Sequence, residues 1–398
     1  MLRLMMFALV GLVTYLLWPA YGFLAEDRAR LRAPWGWQSV PDAQSCQVGV
    51  LESSVADVAE RACLLLRTHQ AAIGVPSLSA AIAIDGKLVW SSSVGWADIE
   101  HAIPATNKTL YRIGSTSKPV TGTVLARMLD AGLVDLDEPI GRYVANLPNP
   151  DWQKLTLRQL ASHMAGLPEY GTNRDLLGLY QSMALRRQHI DVRQSLGLFD
   201  GSPQRFAPGT DFEYSSFGAL LIATVLQEVA GKPFRQLVEE TVLDPLALDS
   251  PVPDVETGAR AQFYQTSDGQ AKPWRRVDLS NKLPGGGFMS TPEDLVKLGS
   301  AWLDPDFISE ETRQLFWQPQ TLSSGTINEQ SYAITWRWNA ALGYAHHGGV
   351  SKGSMAWLAV YPENDQRSQS MVIALTTNTT LTTFQDFSSL QTELVELF

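Results

Sequence analysis

The feature with the most chemical content is a serine three residues before a lysine, in Gly114-Ser115-Thr116-Ser117-Lys118-Pro119. A serine hydroxyl is a poor nucleophile until a neighbour takes its proton. A lysine can do so only when burial or nearby cations keep it neutral. The motif opens a segment with helical spacing, Val120–Asp130, followed by Gly132 as a stop. Residues i and i+3 share a helix face, so Lys118 can lie beside Ser115. Pro119 is tolerated because first-turn amides lack partners in any case. The pair means little alone. With 32 Ser and 9 Lys in 398 residues, composition yields about 0.7 such pairs by chance.

Tyr214-Ser215-Ser216 follows Phe206-Ala-Pro-Gly209 and precedes a helical pattern at Phe217. A tyrosine beside a lysine can pass a proton to a leaving group. Tyr180-Gln-Ser182 has the same spacing but lies inside a continuous helical pattern, so it is set aside. His346-His347-Gly348-Gly349 lies between strand-like runs. Its glycines permit close approach of backbone to a ligand, and a strand-edge N–H there could complete an oxyanion hole. Adjacent strand residues face opposite ways, which argues against a two-histidine metal site. It also means that only one histidine faces a pocket. Taking His346 first, His346 faces it, His347 points away, and Gly349 supplies the N–H.

Two further segments read as structural. His163 sits at a helix end before Gly166 and is expected to be a cap. Gly285-Gly286-Gly287-Phe288-Met289-Ser290-Thr291 lacks the lysine of a phosphate loop and is expected to be a tight turn ending in a helix cap.

Around these motifs, Ser79–Asp85 and Lys87–Ser93 flank Asp85-Gly86, a two-residue hairpin turn. From Leu133 to about Leu248 the pattern is mostly helical, as in Leu155–His163, Leu176–Gln188 and Phe217–Ala230. Strand patterns return at Tyr332–Trp338, Gly353–Tyr361 and Ser370–Thr377, and Leu381–Phe398 reads as a closing amphipathic helix. The expected fold is therefore α/β (α+β): a mainly antiparallel sheet built from both ends of the chain, flanked by helices, with an inserted all-helical region. In domain terms, 26–50 is a linker and 51–398 the catalytic domain, with a helical subdomain at about 133–250.

Hydrophobic residues make up 45% and charged residues 18%, which excludes disorder, collagen and coiled coil as the main description. A net charge of −10 argues against a nucleic-acid partner. The two cysteines form no C-x-x-C, and there is no H-E-x-x-H, so a zinc site is not expected. Sixteen residues separate Cys46 from Cys63; a small-loop disulfide and two free thiols both fit. Leu4–Ala25 is 22 uncharged residues. It fits a signal peptide, with Ala20-x-Gly22 before the cut, and equally a signal anchor of about 20 apolar residues. Arg3 precedes the segment and Arg28, Arg30 and Arg32 follow it, so charge leaves its orientation open.

The order Ser-x-x-Lys, then Tyr-x-Ser about 100 residues on, then His-x-Gly before a terminal helix resembles the serine β-lactamase and penicillin-binding-protein superfamily, from about Val50 onward. The nearest branch is class C with its D,D-peptidases and esterases. Ser115–Lys118, Phe206–Gly218, Ala259–Tyr264, Gly285–Thr291, and His346–Gly349 with Gly353 look most like the mitochondrial serine β-lactamase-like branch of filament-forming serine proteases.

The resemblance implies that Ser115 is the nucleophile, Lys118 its base and Tyr214 the proton relay. Ser216 stands where class C enzymes have Asn, and His346 where they have the Lys of Lys-Thr-Gly. Gly348 and Gly349 would line the substrate, and the amides of Ser115 and Gly349 would form the oxyanion hole. A histidine is mostly neutral at pH 7, so the cation that recognises a β-lactam carboxylate is missing, while acyl transfer is left intact. Titration near pH ~6.5 would make activity on acidic substrates rise as pH falls. The implied function is a serine hydrolase working through an acyl-enzyme, most of all a peptidase. The alternatives are an esterase, a D,D-peptidase or weak β-lactamase, or a non-catalytic assembly protein keeping the fold. No cofactor is implied. The partners are a peptide or small acyl substrate, a membrane through an uncleaved N-terminal segment, and further copies of the chain in a homo-oligomer. The catalytic part would lie outside the cytoplasm, periplasmic or membrane-anchored.

Overall fold

The computed structural model describes residues 2–27, 35–42, 45–254, 259–365 and 367–398. The basic cluster Arg28, Arg30 and Arg32 lies outside the described residues.

Asp85 and Gly86 take φ angles of 48° and 76°. A two-residue hairpin of this kind matches the right-handed twist of its strands. Seven strands form a continuous antiparallel row: β1 (Gln47–Leu51), β2 (Ser77–Ile84), β3 (Lys87–Asp98), β4 (Arg337–Asn339), β5 (Tyr344–Ser351), β6 (Ser354–Tyr361) and β7 (Met371–Thr377). Their order is β4-β5-β6-β7-β2-β3-β1, with a short strand Ile103–Pro104 beside β3. The seam between early and late chain is β7 against β2, from Met371 opposite Ile84 to Thr377 opposite Leu78.

The central strands β2, β6 and β7 are buried along nearly their whole length because helices cover both faces. We number the helices used below α1 (Leu2–Gly22), α2 (Ala56–Ile73), α3 (Ser117–Asp130), α4 (Leu176–Ala184), α5 (Phe217–Ala230), α6 (Pro292–Ala301) and α7 (Gln385–Leu397). Helices α2 and α7 pack with Leu78, Ile82, Trp357, Ala359 and Ile373 on one face. Helices α3, α5 and α6 share the other core with Ala81, Ala83, Leu358, Val360 and Val372. Each fully buried Leu, Ile or Val contributes about 1.5–3 kcal/mol. Cys46 and Cys63 are joined in a disulfide that ties the start of β1 to α2. Between Leu133 and Ser250 the described chain forms helices, turns and loops.

Helix α5 begins and ends where the sequence pattern places it, and Gly231 closes it with φ 63°. Helix α3 starts three residues earlier than expected, with Pro119 inside its first turn. Tyr332–Trp338, in contrast, is not a strand; only Arg337–Asn339 pairs with β5. Positive φ at Ser331 (48°) and Thr335 (62°) breaks the extended run. Arg3–Ala25 is long and apolar enough to cross a membrane, and most of its side chains are exposed. Where it meets the rest of the chain it lies by α4, with the Arg186 guanidinium 4.9 Å from the centre of the Tyr15 ring.

Candidate active site

The chain enters the site on the short strand Tyr111–Arg112 and turns into α3 through Gly114–Thr116. Gly114 has φ 51°, and a Cβ there would collide with the Val350 backbone. Within Gly114–Pro119 only the Ser115 residue is partly exposed. Ser117 is fully buried and turns its hydroxyl toward the Phe288 amide.

Lys118 is 2% exposed. Its Nζ lies 3.2 Å from Ser115 Oγ, 3.1 Å from Ser216 Oγ and 2.9 Å from the Gly285 carbonyl oxygen. A neutral amine has two N–H groups and one lone pair. Ser216 and Gly285 can take the two N–H groups, which leaves the lone pair for the Ser115 hydroxyl. Burial, and secondarily the positive Arg337, lowers the Lys118 pKa, opposed by Tyr214. The Lys118 Nζ is 4.7 Å from the centre of the Tyr214 ring. Burial alone would raise the Tyr214 pKa, but the charges of Lys118 and Arg337 outweigh it and lower the phenol. Both shifts favour loss of a proton from the pair.

The histidine pair is oriented opposite to the sequence expectation. Directly opposed residues of antiparallel strands share a face. His347 is opposite Leu358, whose face belongs to the core beneath α3, and His346 is opposite Ala359, whose face belongs to the α2–α7 side. Accordingly His346 stacks on Trp357 with ring centres 4.9 Å apart. His347 instead reaches the Lys118–Tyr214 side. Its Nδ1 donates to the Gly348 carbonyl at 2.8 Å, so its Nε2 is an acceptor, filled by the Tyr332 hydroxyl at 2.8 Å. Neither ring titrates near neutrality. Burial and then Arg337 lower His346 to about 3, and burial with Arg337 and Lys118 holds His347 well below its usual value. The expected gain in activity on acidic substrates as pH falls therefore loses its basis.

The backbone N–H that faces the open edge also lies one residue beyond the expected Gly349. Ser351 and Ser354 flank the two-residue turn Lys352-Gly353. Residues flanking such a turn exchange hydrogen bonds, and the pattern alternates along the strand. Gly349 therefore directs its N–H to β6, and Val350 directs its own to the free edge. Strand β4 pairs only as far as His346, so that edge is open. Gly349 is still required: a Cβ there would collide with the Ile113 carbonyl and the Ser115 and Thr116 amides. Gly348 faces the other way, toward Phe384 and Trp357.

A pocket of about 530 Å³ opens above Ser115, lined by Tyr214, Ser216, Gly285 and Val350 among others. His346, Gly348 and Gly349 do not line it. Sequence reasoning missed Arg337, whose guanidinium lies 5.3 Å from the Tyr214 ring centre and 4.8 Å from that of Tyr332. It stands beside His347 Nε2 at 3.4 Å, a cation next to the place where the resemblance lacks one. The Gly285–Thr291 turn does end in a cap, with Thr291 Oγ1 accepting from the Asp294 amide. It also supplies the carbonyl that holds Lys118, which the cap reading overlooked. His163 is buried, accepts from the Ser215 amide, and packs on Tyr214 with ring centres 4.3 Å apart. Among the described residues no group of three or more His, Cys, Asp and Glu could hold a metal ion.

A serine and lysine at the start of a helix, set beneath the open edge of an antiparallel sheet, define the serine β-lactamase and penicillin-binding-protein class of hydrolases. The chain belongs to the β-lactamase family, whose model, described as Beta-lactamase, matches residues 64–392. It is 26% identical to the human (Homo sapiens) serine beta-lactamase-like protein LACTB, mitochondrial, over 83% of this chain and 76% of that protein. It is 28% identical to a beta-lactamase of Escherichia coli over 68% of this chain and 67% of the relative. Among solved structures, D-amino acid amidase from Ochrobactrum anthropi superposes with a TM-score of 0.69 at 21% identity, covering 86% of this chain and 99% of the amidase. That likeness is one of fold.

Proposed function

We propose that the protein is an acyl-enzyme-forming serine hydrolase that cleaves peptide bonds, held outside the cytoplasm by an N-terminal signal or anchor helix. The observation that carries the chemistry is the set of three contacts at Lys118, in which Ser216 and Gly285 can take the two N–H groups of a neutral amine and its lone pair can take the Ser115 proton. Ser115 Oγ attacks the substrate carbonyl carbon as its proton passes to Lys118 Nζ. The carbonyl oxygen gains the negative charge and is held by the amides of Ser115 and Val350. The carbon–nitrogen bond then breaks, and the leaving amine takes the proton from Lys118 through the Tyr214 hydroxyl. Water attacks the resulting ester, gives a proton back to the Tyr214–Lys118 pair, and Ser115 leaves protonated.

His347 braces Tyr332 and the strand edge in this scheme. His346 takes no part. The N-terminal apolar helix supports export, and the resemblance to a filament-forming protease branch supports peptide over ester substrates. An esterase or D-peptide amidase would use the same steps. The test is labelling with a fluorophosphonate probe, followed by cleavage of a peptide library. Labelling of the wild type, its loss in Ser115→Ala, and cleavage of internal L-peptide bonds are expected. Labelling without any peptide cleavage would leave the nucleophile standing and refute the peptidase assignment.

A further inference from the structure

The pocket above Ser115 is also lined by Lys282, a lysine that the mechanism does not use. Lys282 ends the short helical turn Ser280–Lys282 and lines the same cavity as Ser115, with Tyr170, Trp274 and Gly286. Its ammonium stands 5.0 Å from the centre of the Tyr170 ring. Among the described residues it has no ion pair and no hydrogen bond. The charged groups that act on it are Arg112, Lys118 and Arg275, all cations. Burial, reinforced by those charges, pushes Lys282 down to about 8.

Its neighbours are already engaged. Arg112 is paired with buried Asp254 at 2.7 Å, Lys118 is held by three oxygens, and Arg275 donates to the Met183 carbonyl at 3.1 Å. Glu169 also lines the pocket but makes no ion pair with Lys282. A cation held in a cavity among other cations is costly unless an anion joins it. On the β5 side the lysine that lines the same cavity is Lys352, in the turn after Ser351, whereas neutral His347 does not line it.

We infer that Lys282 is a specificity-determining residue that binds a carboxylate on the substrate, so that acyl donors bearing an acidic group react in preference to neutral ones. The inference rests on Ser115 being the nucleophile. A cavity of about 530 Å³ has room for an acyl group and a leaving group together. The carboxylate can belong to either, and the experiment separates the two.

Four esters test this. p-Nitrophenyl acetate is paired with the p-nitrophenyl hemiester of succinic acid, whose carboxylate is in the acyl part. Phenyl acetate is paired with meta-acetoxybenzoate, whose carboxylate is in the leaving group. For at least one pair, the wild type should favour the acidic member in kcat/KM by about 10-fold or more, the scale of one charge-assisted hydrogen bond. Lys282→Met should abolish that preference and leave both neutral esters within about threefold of the wild type. Lys282→Arg should retain part of it, and Lys282→Glu should turn it into discrimination against the acidic ester. An acidic-to-neutral ratio that is the same in the wild type and in Lys282→Met overturns the inference. So does an equal loss on all four esters. Ester turnover or probe labelling that survives in Ser115→Ala is a different failure, that of the nucleophile assignment, and would remove the ground for the subsite as well.

Discussion

His347 Nε2 accepts a 2.8 Å hydrogen bond from the Tyr332 hydroxyl, and through that bond the second histidine of the pair, not the first, is tied to the ring cluster around Tyr214. His346 is stacked on Trp357 across the sheet. The two alanine variants should therefore fail differently. His347→Ala should lower kcat/KM by about 10- to 1000-fold, the range for losing a polar contact that supports the transition state. His346→Ala should leave the rate near wild type and cost about 1–3 kcal/mol of stability through lost packing. Kinetics and urea unfolding of both variants check this. A rate loss confined to His346→Ala would contradict the orientation described here.

The neighbouring serines give a second test. Ser115 is partly exposed beside Lys118, while Ser117 is sealed beneath the surface. Fluorophosphonate labelling followed by mass spectrometry should place the adduct on Ser115. It should be absent from Ser115→Ala and present in a folded Ser117→Ala.

Arg337 should set where activity rises with pH. In the proposed mechanism the enzyme is active once the Lys118–Tyr214 pair has lost a proton, and Arg337 lowers the pKa of both members. Removing the cation raises those values. In Arg337→Met the ascending limb of kcat/KM against pH should shift upward by about one unit. Arg337→Lys should shift less. Because His346 is held at about 3 and His347 lies well below its usual value, no additional limb near pH ~6.5 is expected from either ring.

The same buried rings predict acid sensitivity. His163, His346 and His347 all have folded pKa values depressed by burial. Below pH ~6.5 the unfolded chain binds protons that the folded chain refuses. The unfolded state then holds more protons, so stability falls as pH drops. Each ring contributes a slope of up to about 1.4 kcal/mol per pH unit between roughly pH 6.5 and its folded pKa. Urea midpoints measured from pH 7 to pH 5 should decline, and less steeply in His346→Phe. A flat profile would contradict the burial of these rings in neutral form.

Much of the architecture was legible because its signals are local. The Asp85-Gly86 turn, the Phe217–Ala230 helix with its glycine stop, and the i,i+3 spacing of Ser115 and Lys118 depend on few residues. The phase of the histidine pair was not legible. It is set by which face of β6 lies opposite, and Ser354–Tyr361 is buried at every position, so alternation gives no cue. Arg337 and Lys282 stand in no recognisable motif. Their places beside the site arise only when β4 is laid against β5 and the turn Ser280–Lys282 is brought to the pocket that Ser115 lines. Tyr332–Trp338 reads as a strand by composition, and only the left-handed residues Ser331 and Thr335 reveal otherwise.

The seam between β7 and β2 has a temporal consequence. Ser115, Tyr214, Gly285 and Val350 come from four distant stretches, and the strand carrying Val350 joins the N-terminal strands only through β6 and β7. Pairings so far apart in sequence are late events in folding. Until Met371–Thr377 pairs with Ser77–Ile84, the strand that carries Val350 is not joined through the sheet to the N-terminal strands. In the proposed mechanism, hydrolytic activity is thus expected to appear only once Met371–Thr377 has paired with Ser77–Ile84.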